Sequence, residues 1–147
     1  GISVTLRRVH AHNNHRGMWF RWGNAYRVEN CLLRHNWQGI RASAFNGLAI
    51  TGQTIIESND YQGFILSMED HCRHLTFDGV WFENNNIISS GANDAIYVAP
   101  DVAGTYLNLM TLRDVQFEGG RGHIGTTNVN HVKWEHITWN NDTYYGG

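Results

Sequence analysis

Proline, cysteine and lysine are scarce in this chain, and their low counts restrict the fold and the function that it can have. The single proline is Pro100, as long ladders of hydrogen-bonded strands require. The two cysteines, Cys31 and Cys72, are too few for a disulfide framework or a zinc site, so we predict free thiols. With Lys133 as the only lysine and no known reading motif, no nucleic-acid binding is predicted. No apolar run approaches the ~20 residues of a membrane span and no signal peptide is evident, so no membrane insertion is predicted.

What the chain does contain is a short phrase that recurs six times. Asp78–Asn85 reads DGVWFENN, with Val80 and Phe82 as alternating apolar residues before a corner. Similar phrases begin at Arg7, Glu29, Gly52, Arg113 and Glu135. An apolar pair lies three residues upstream of each phrase, and a third pair follows most corners. The alternation with a period of two predicts short strands with one buried face.

The spacing of the repeats predicts how the strands stack. Leu6, Val28 and Ile50 are equivalent and lie 22 residues apart, and later repeats lengthen to 27 and 35 residues before returning to 22. Each repeat has three short strands, and each strand has two inward-facing apolar residues. A repeat of this size fits one coil of a parallel β-helix, in which each strand pairs with the equivalent strand of the next coil roughly 4.8 Å away. We predict an all-β parallel β-helix, a solenoid of about six coils of three short strands.

The corner after each phrase carries asparagine in four coils. Asn14, Asn36, Asn59 and Asn85 take this slot, and Gly120 and Asp142 take it in the last two coils. These residue types tolerate the left-handed backbone of a sharp bend, and stacked asparagines can hydrogen-bond along a ladder. We therefore predict a structural role for these asparagines and not a catalytic one.

The chain is predicted to be one domain, residues 1–147, and a piece of a longer chain or of an oligomer, because an uncovered β-helix exposes strand edges. Its charge is uneven. Residues 1–42 hold seven arginines and one acid, whereas residues 57–101 hold eight acids and one arginine. The basic end could meet an anionic ligand or a neighbouring chain.

Two outward lines of side chains suggest contact surfaces. One is an apolar stripe across three coils, formed by Leu32, Ile55 and Trp81. The other follows the corner and contains Trp19, Arg41, Ile65 and Tyr97. Such stripes on a solenoid favour subunit packing or a sugar platform. Leucine and isoleucine suit subunit packing, while Trp19, Trp81 and Tyr97 suit the faces of sugars.

Two groups of carboxylates are candidate catalytic sites. Glu57, Glu83 and Glu118 take the same outward slot on consecutive coils, at separations near those of glycosidase carboxylates, and crowding should raise one pKa. The alternative is a solvated glutamate ladder. The second group is Asp94 with Glu69, Asp70 and Asp101, near the insertions Asn86–Asn93 and Pro100–Tyr106, with His123 one coil above. Its alternative is a set of turn residues.

These residues resemble the right-handed parallel β-helix proteins of the pectin-lyase-like superfamily, and among them most resemble bacteriophage tailspikes. Asn93-Asp94-Ala95-Ile96 is similar to the polygalacturonase Asp-Asp motif with one aspartate lost. Gly122-His123-Ile124-Gly125 is similar to its Gly-His-Gly motif with one residue inserted. The family's Asn-Thr-Asp and Arg-Ile-Lys motifs are missing, as are the calcium and arginine motifs of pectate lyases.

The resemblance implies a homotrimer in a virion tail, or an extracellular protein, that binds bacterial surface polysaccharide without cofactor or metal. Cleavage would use Asp94, Glu83, Glu57, Glu118 and His123, as a hydrolase or a lyase. The substrate-binding residues would be Trp19, Trp81, Tyr97, Arg41, Glu69, Asp70 and Asp101. Two alternatives stay open: a non-catalytic receptor-binding or structural shaft, and a secreted pectinase-like enzyme.

Overall fold

The computed structural model describes residues 3–86, 94–119 and 123–140, which form 17 strands in three parallel sheets. Sheet one contains β1 Ser3–Arg7, β4 Gly23–Glu29, β7 Phe45–Thr51, β10 Cys72–Asp78, β13 Leu107–Arg113 and β16 Val129–Glu135. Sheet two contains β2 His10–His12, β5 Leu32–Arg34, β8 Ile55–Glu57, β11 Trp81–Glu83, β14 Gln116–Glu118 and β17 Thr138–Asn140. Sheet three contains β3 Arg16–Phe20, β6 Gln38–Ala42, β9 Phe64–Met68, β12 Asp94–Pro100 and β15 His123–Thr126.

The chain passes through the three sheets in turn, and every strand pairs with the strand one coil on. Val4 pairs with Tyr26 and Tyr26 with Leu48, so the predicted inward slots stack in register. The predicted all-β parallel solenoid is therefore confirmed. Five coils are described through all three strands and the sixth through its second strand, close to the predicted six.

The core runs along the axis as a line of aromatic rings. Phe77 lies edge-on to Phe64 and Phe82, with ring centroids 5.0 and 5.6 Å apart. Phe82 stacks on Phe117 at 5.3 Å, and Phe117 stacks on Trp139 at 4.4 Å. Because each phenylalanine comes from an inward slot of a different strand, the rings tie neighbouring coils and sheets together.

The predicted asparagine ladder (Asn14, Asn36, Asn59 and Asn85) is confirmed as a hydrogen-bonded structure. The Asn59 Nδ2 donates to Asn85 Oδ1 at 2.8 Å and to the Leu33 carbonyl at 3.2 Å. The Asn59 Oδ1 in turn accepts from the backbone N–H of Asn36 at 3.0 Å. Asn36 and Asn59 are fully buried, so the ladder satisfies backbone groups that water cannot reach.

The left-handed backbone conformation falls one residue before the ladder, which corrects the predicted corner. Positive φ occurs at Asn13, His35, Ser58, Asn84 and Gly119. The ladder asparagines must aim their side chains inward to accept N–H groups from the preceding coil, so the bend is made by the exposed or half-buried residue before them. Gly120 and residues 141–147, including Asp142, lie outside the described residues.

A column of glycines on sheet three makes room for the ladder. A Cβ at Gly39 would lie 2.4 Å from the Gly63 carbonyl oxygen and 3.1 Å from Asn59 Nδ2. A Cβ at Gly17 would meet the Gly39 oxygen at 2.5 Å and Asn36 Nδ2 at 3.0 Å. Glycine is required here because the backbone of β3 and β6 packs directly against the asparagine side chains.

Both cysteines are buried free thiols, as predicted. Burial raises the pKa of the Cys72 thiol to about 11, which leaves it protonated and unreactive at neutral pH. The described part of the chain has no helix that is long and apolar enough to cross a membrane.

Candidate functional site

Three glutamates form a column on the outer face of sheet two. Glu57 on β8, Glu83 on β11 and Glu118 on β14 are in register, as the repeat predicted. Strand spacing places adjacent backbones ~4.8 Å apart. We call this set the carboxylate column. Arg34 precedes it and Asn140 follows it in the same slot.

The central glutamate is electrostatically different from its neighbours. Partial burial, followed by the negative charges of Glu57 and Glu118, raises the pKa of Glu83. Glu57 has the Arg34 guanidinium 3.6 Å away. Glu118 accepts a hydrogen bond from the Gln116 amide at 3.2 Å, and Glu83 accepts a longer one from the Asn84 amide at 3.4 Å. The raised pKa means that Glu83 holds its proton more readily than a free glutamate side chain does, which is the property of a general acid.

A single tryptophan lies beside the carboxylate column. Trp81 is two residues before Glu83 on the same strand, and it borders a cavity of about 360 Å³ that Ile55 and Gln116 also line. Its indole N–H is buried and has no acceptor among the described residues. The predicted Leu32, Ile55 and Trp81 stripe is in register, but each side chain is half-buried and not fully exposed.

A second outward column lies on sheet three. Trp19, Arg41, Ile65 and Tyr97 are in register on β3, β6, β9 and β12, as predicted. We call this set the sheet-three column. Trp19 is 51% exposed, so the column has a half-exposed tryptophan at one end and a half-buried tyrosine at the other.

Two arginines flank the ring of Trp19. The Arg16 guanidinium carbon lies 4.7 Å from the ring centroid, and that of Arg21 lies 5.9 Å away. Both distances fall within cation–π range. The sequence did not indicate this cluster, because it depends on side-chain conformations at the ends of β3.

The predicted acidic group is distributed among separate local contacts. Glu69 accepts from Arg21 through Nη2 at 2.8 Å, and Asp70 accepts from the backbone N–H of His71 at 2.7 Å. Asp101 is exposed in the turn after β12. Asp94 pairs with His123 across β12 and β15, where a bulge interrupts the register. The side chains of Asp94 and His123, and residues 87–93 of the first insertion, lie outside the described part of the chain.

Asp70 also lines a corner cavity that the sequence did not indicate. This cavity of about 210 Å³ lies between sheets three and one, and its lining includes Trp22, Asn24, Asn46 and His71. The Asn46 amide donates to Asn24 Oδ1 at 2.9 Å. Trp22 is 61% exposed. The 22-residue spacing of Asn24 and Asn46 is visible in the sequence and indicates that they stack, but the cavity itself depends on how the chain bends at this corner.

An aromatic column at the corner after sheet two was also missed. His15 and Trp37 stack with ring centroids 6.1 Å apart, and Trp37 and Tyr61 approach to 4.2 Å. Tyr61 follows Glu57 by four residues, so these rings continue the outer surface beyond the carboxylate column. They are a further candidate surface for planar ligands.

No cluster of three or more metal-ligating side chains occurs among the described residues.

Comparison with family models, curated proteins and solved structures finds no match to this chain. The fold and the columns described above therefore carry the functional argument alone.

Proposed function

We propose that this chain is a tailspike-like β-solenoid that binds bacterial surface polysaccharide along the sheet-three column. The supporting observation is the in-register line from Trp19 through Arg41 and Ile65 to Tyr97. Aromatic faces pack against the apolar faces of sugar rings, and a guanidinium donates to sugar oxygens. Hydrogen-bonded parallel strands hold these side chains at a fixed spacing, which lowers the entropy cost of binding an extended polymer.

In this proposal the chain acts as a homotrimer on a virion tail or outside the cell. The Leu32, Ile55 and Trp81 stripe supports it, because neighbouring subunits could cover these half-buried apolar side chains. Light scattering measures the mass directly. A monomer would contradict this part of the proposal without affecting sugar binding.

Titration calorimetry against a panel of bacterial polysaccharides tests the binding site. We expect Trp19→Ala and Tyr97→Ala each to weaken binding about tenfold, the loss of ~1.4 kcal/mol of stacking. Trp22→Ala is the comparison variant, because Trp22 is similarly exposed but lines the corner cavity. The proposed site is wrong if Trp22→Ala abolishes binding while the two column variants bind normally.

A second candidate function is cleavage of the bound glycan by the carboxylate column. Its support is the raised pKa of Glu83 between two other carboxylates. Protonated Glu83 would transfer its proton to the glycosidic oxygen as the bond to the anomeric carbon breaks. An ionised neighbour would attack that carbon or take a proton from the attacking water. Adjacent backbones ~4.8 Å apart are nearer the retaining geometry of ~5–5.5 Å.

Release of new reducing ends from the same polysaccharides tests the cleavage hypothesis. Glu83→Gln should abolish release and leave binding unchanged, since glutamine keeps the shape but cannot act as the acid. Glu135→Gln is the matched control on sheet one and should retain full turnover. If the wild-type protein binds a glycan and releases nothing, the non-catalytic shaft is the better description.

A further inference from the structure

The arginines around Trp19 differ in how their charges are neutralised. Arg21 donates to Glu69 Oε2 through Nε at 2.9 Å and Nη2 at 2.8 Å, so its charge is balanced within the protein. Arg16 packs over the Trp19 ring at 4.7 Å instead, and its buried Nε has no acceptor among the described residues. Arg41 lies next to Trp19 in register.

Neither Arg16 nor Arg41 forms an ion pair with any described carboxylate, whereas Arg7, Arg27, Arg34 and Arg113 all do. Arg8 and Arg73 also lack one, but they lie away from Trp19, at the corner after β1 and on β10. The surrounding segment has almost no negative charge that could neutralise Arg16 and Arg41, since residues 1–42 contain seven arginines and a single acid, Glu29. Glu29 already accepts from Arg7 and Arg27. Two unneutralised guanidinium groups thus flank the most exposed ring of the sheet-three column.

We infer that the sheet-three column selects an acidic glycan, in which Trp19 packs against a sugar ring and Arg16 and Arg41 bind an anionic group on that sugar or the next. This inference rests on the proposed glycan-binding function and specifies its ligand class. Guanidinium forks match the two oxygens of a carboxylate and also those of a sulfate ester. Arg41 lies one strand spacing, ~4.8 Å, from Trp19, so ring and anionic group are contacted together.

Calorimetry with two matched pairs of probes tests the inference on the intact chain. The pairs are alginate against carboxyl-reduced alginate, and dextran sulfate against dextran. We expect the acidic member of at least one pair to bind at least tenfold more tightly than its neutral counterpart, and the preferred pair identifies the anionic group. Polyglutamate, a polyanion without sugar rings, should bind at least tenfold more weakly than the preferred glycan.

Charge variants then locate the site. Arg16→Gln and Arg41→Gln should each weaken acidic-glycan binding about tenfold and reduce the salt dependence of that binding. Arg16→Gln should leave neutral-glycan binding unchanged, and Arg41→Gln should weaken neutral-glycan binding much less than acidic-glycan binding. Arg73→Gln, an exposed arginine on β10, removes the same charge elsewhere and should change binding less than twofold.

The outcomes separate this inference from the proposed function. Equal binding of acidic and neutral glycans, with loss of both in Trp19→Ala, would refute the inference and leave glycan binding intact. Equal binding of polyglutamate would show attraction of any polyanion and refute the inference. Dissociation of an oligomer by Arg41→Gln would assign these arginines to a subunit contact and also refute it. Failure to bind any polysaccharide would refute the proposed function itself.

Discussion

Replacing Asn59 with alanine should be among the most damaging single substitutions in the solenoid. The side chain makes four hydrogen bonds in a site that is 0% exposed. Its Oδ1 accepts from Asn36 N at 3.0 Å and Nδ2 at 3.2 Å, and its Nδ2 donates to the Leu33 carbonyl at 3.2 Å and Asn85 Oδ1 at 2.8 Å. The ladder therefore loses bonds to both neighbouring coils at once.

The size of the effect follows from which groups lose a partner. Asn36 Nδ2 keeps its bond to the Ala11 carbonyl, and Asn85 Oδ1 keeps the Asn59 backbone N–H. The Asn36 backbone N–H loses the partner that Asn59 supplies, whereas the Leu33 carbonyl stays within the strand ladder between β5 and β8. One buried backbone group left unpaired gives about 1–3 kcal/mol, a substantial share of the ~5–15 kcal/mol that typical domains have.

Asn14→Ala is the matched control at the exposed end of the same ladder. The Asn14 Nδ2 donates to the His12 carbonyl at 2.8 Å, with both groups near solvent. It also donates to Asn36 Oδ1 at a long 3.4 Å, but that oxygen keeps the Asn14 backbone N–H at 3.1 Å in the variant. Water can replace the bond to His12, so we expect a cost below about 1 kcal/mol. The free energies of unfolding come from urea titrations followed by circular dichroism and by tryptophan fluorescence, because solenoids can unfold in more than one step.

Asn59→Asp separates the donor from the acceptor role. An ionised aspartate keeps the acceptor but places an unpaired buried charge against the Leu33 carbonyl and Asn85 Oδ1, so this variant should be at least as unstable as Asn59→Ala at pH 7. It should recover part of the loss at low pH, where the protonated carboxyl donates again. Equal free energies of unfolding for the Asn59→Ala and Asn14→Ala variants, within about 0.5 kcal/mol, would refute the argument that buried ladder bonds stabilise the fold.

Three further predictions concern packing and charge. Gly39→Ala should lower the free energy of unfolding, measured by chemical denaturation, by ~1–3 kcal/mol because its Cβ would lie 2.4 Å from a backbone oxygen. Gly47→Ala is the control and should be neutral or slightly stabilising, since the nearest atom to its Cβ would be 3.8 Å away. Equal losses of stability in the two variants would contradict the packing argument. Glu83→Gln should stabilise the fold by ~0.2–1 kcal/mol at pH 7. Because the pKa of Glu83 is raised in the folded state, the wild-type protein should lose stability as the pH rises from the unfolded-state pKa of Glu83 to its folded-state pKa. Glu83→Gln should not show this loss, and identical pH profiles of stability for the two proteins would refute the prediction. The hydrogen bond from Arg113 lowers the pKa of Asp78, so Arg113→Gln should slightly lower the stability at pH 7. That cost should disappear in thermal melts below the folded pKa of Asp78, and persistence there would show a packing effect instead.

The stacking of this fold could be predicted from the sequence because the inward slots fix the register. Glu57, Glu83 and Glu118 are separated by 26 and 35 residues, yet they form one column. Each follows an inward residue, Ile56, Phe82 or Phe117, that is buried and paired with its counterpart. A strand shifted by one residue would expose that side chain, so the hydrophobic effect selects the register.

The corners could not be predicted in the same detail, because their conformation depends on contacts between coils. The left-handed residue is Ser58 and not Asn59, since the asparagine side chain must point inward to join the ladder. The arginine pair around Trp19 depends on side-chain conformations, which alternation along a strand does not determine. The corner cavity at Trp22 likewise requires two coils and a bend to be in place.

The two candidate functional surfaces lie on different sheets and carry charges of opposite sign. The sheet-three column carries the free guanidinium groups of Arg16 and Arg41, while the carboxylate column on sheet two carries Glu57, Glu83 and Glu118. A polymer with a negative charge on each repeat would be attracted to the first and repelled by the second. Tight binding of an acidic glycan at Trp19 therefore favours a receptor-binding shaft over a depolymerase.

Cleavage at Glu83 is more compatible with a glycan whose charged groups are sparse enough for a neutral linkage to reach the carboxylates. Reducing-end release from carboxyl-reduced alginate but not from alginate would be the expected pattern for a catalytic carboxylate column, and release from alginate alone would contradict this electrostatic argument.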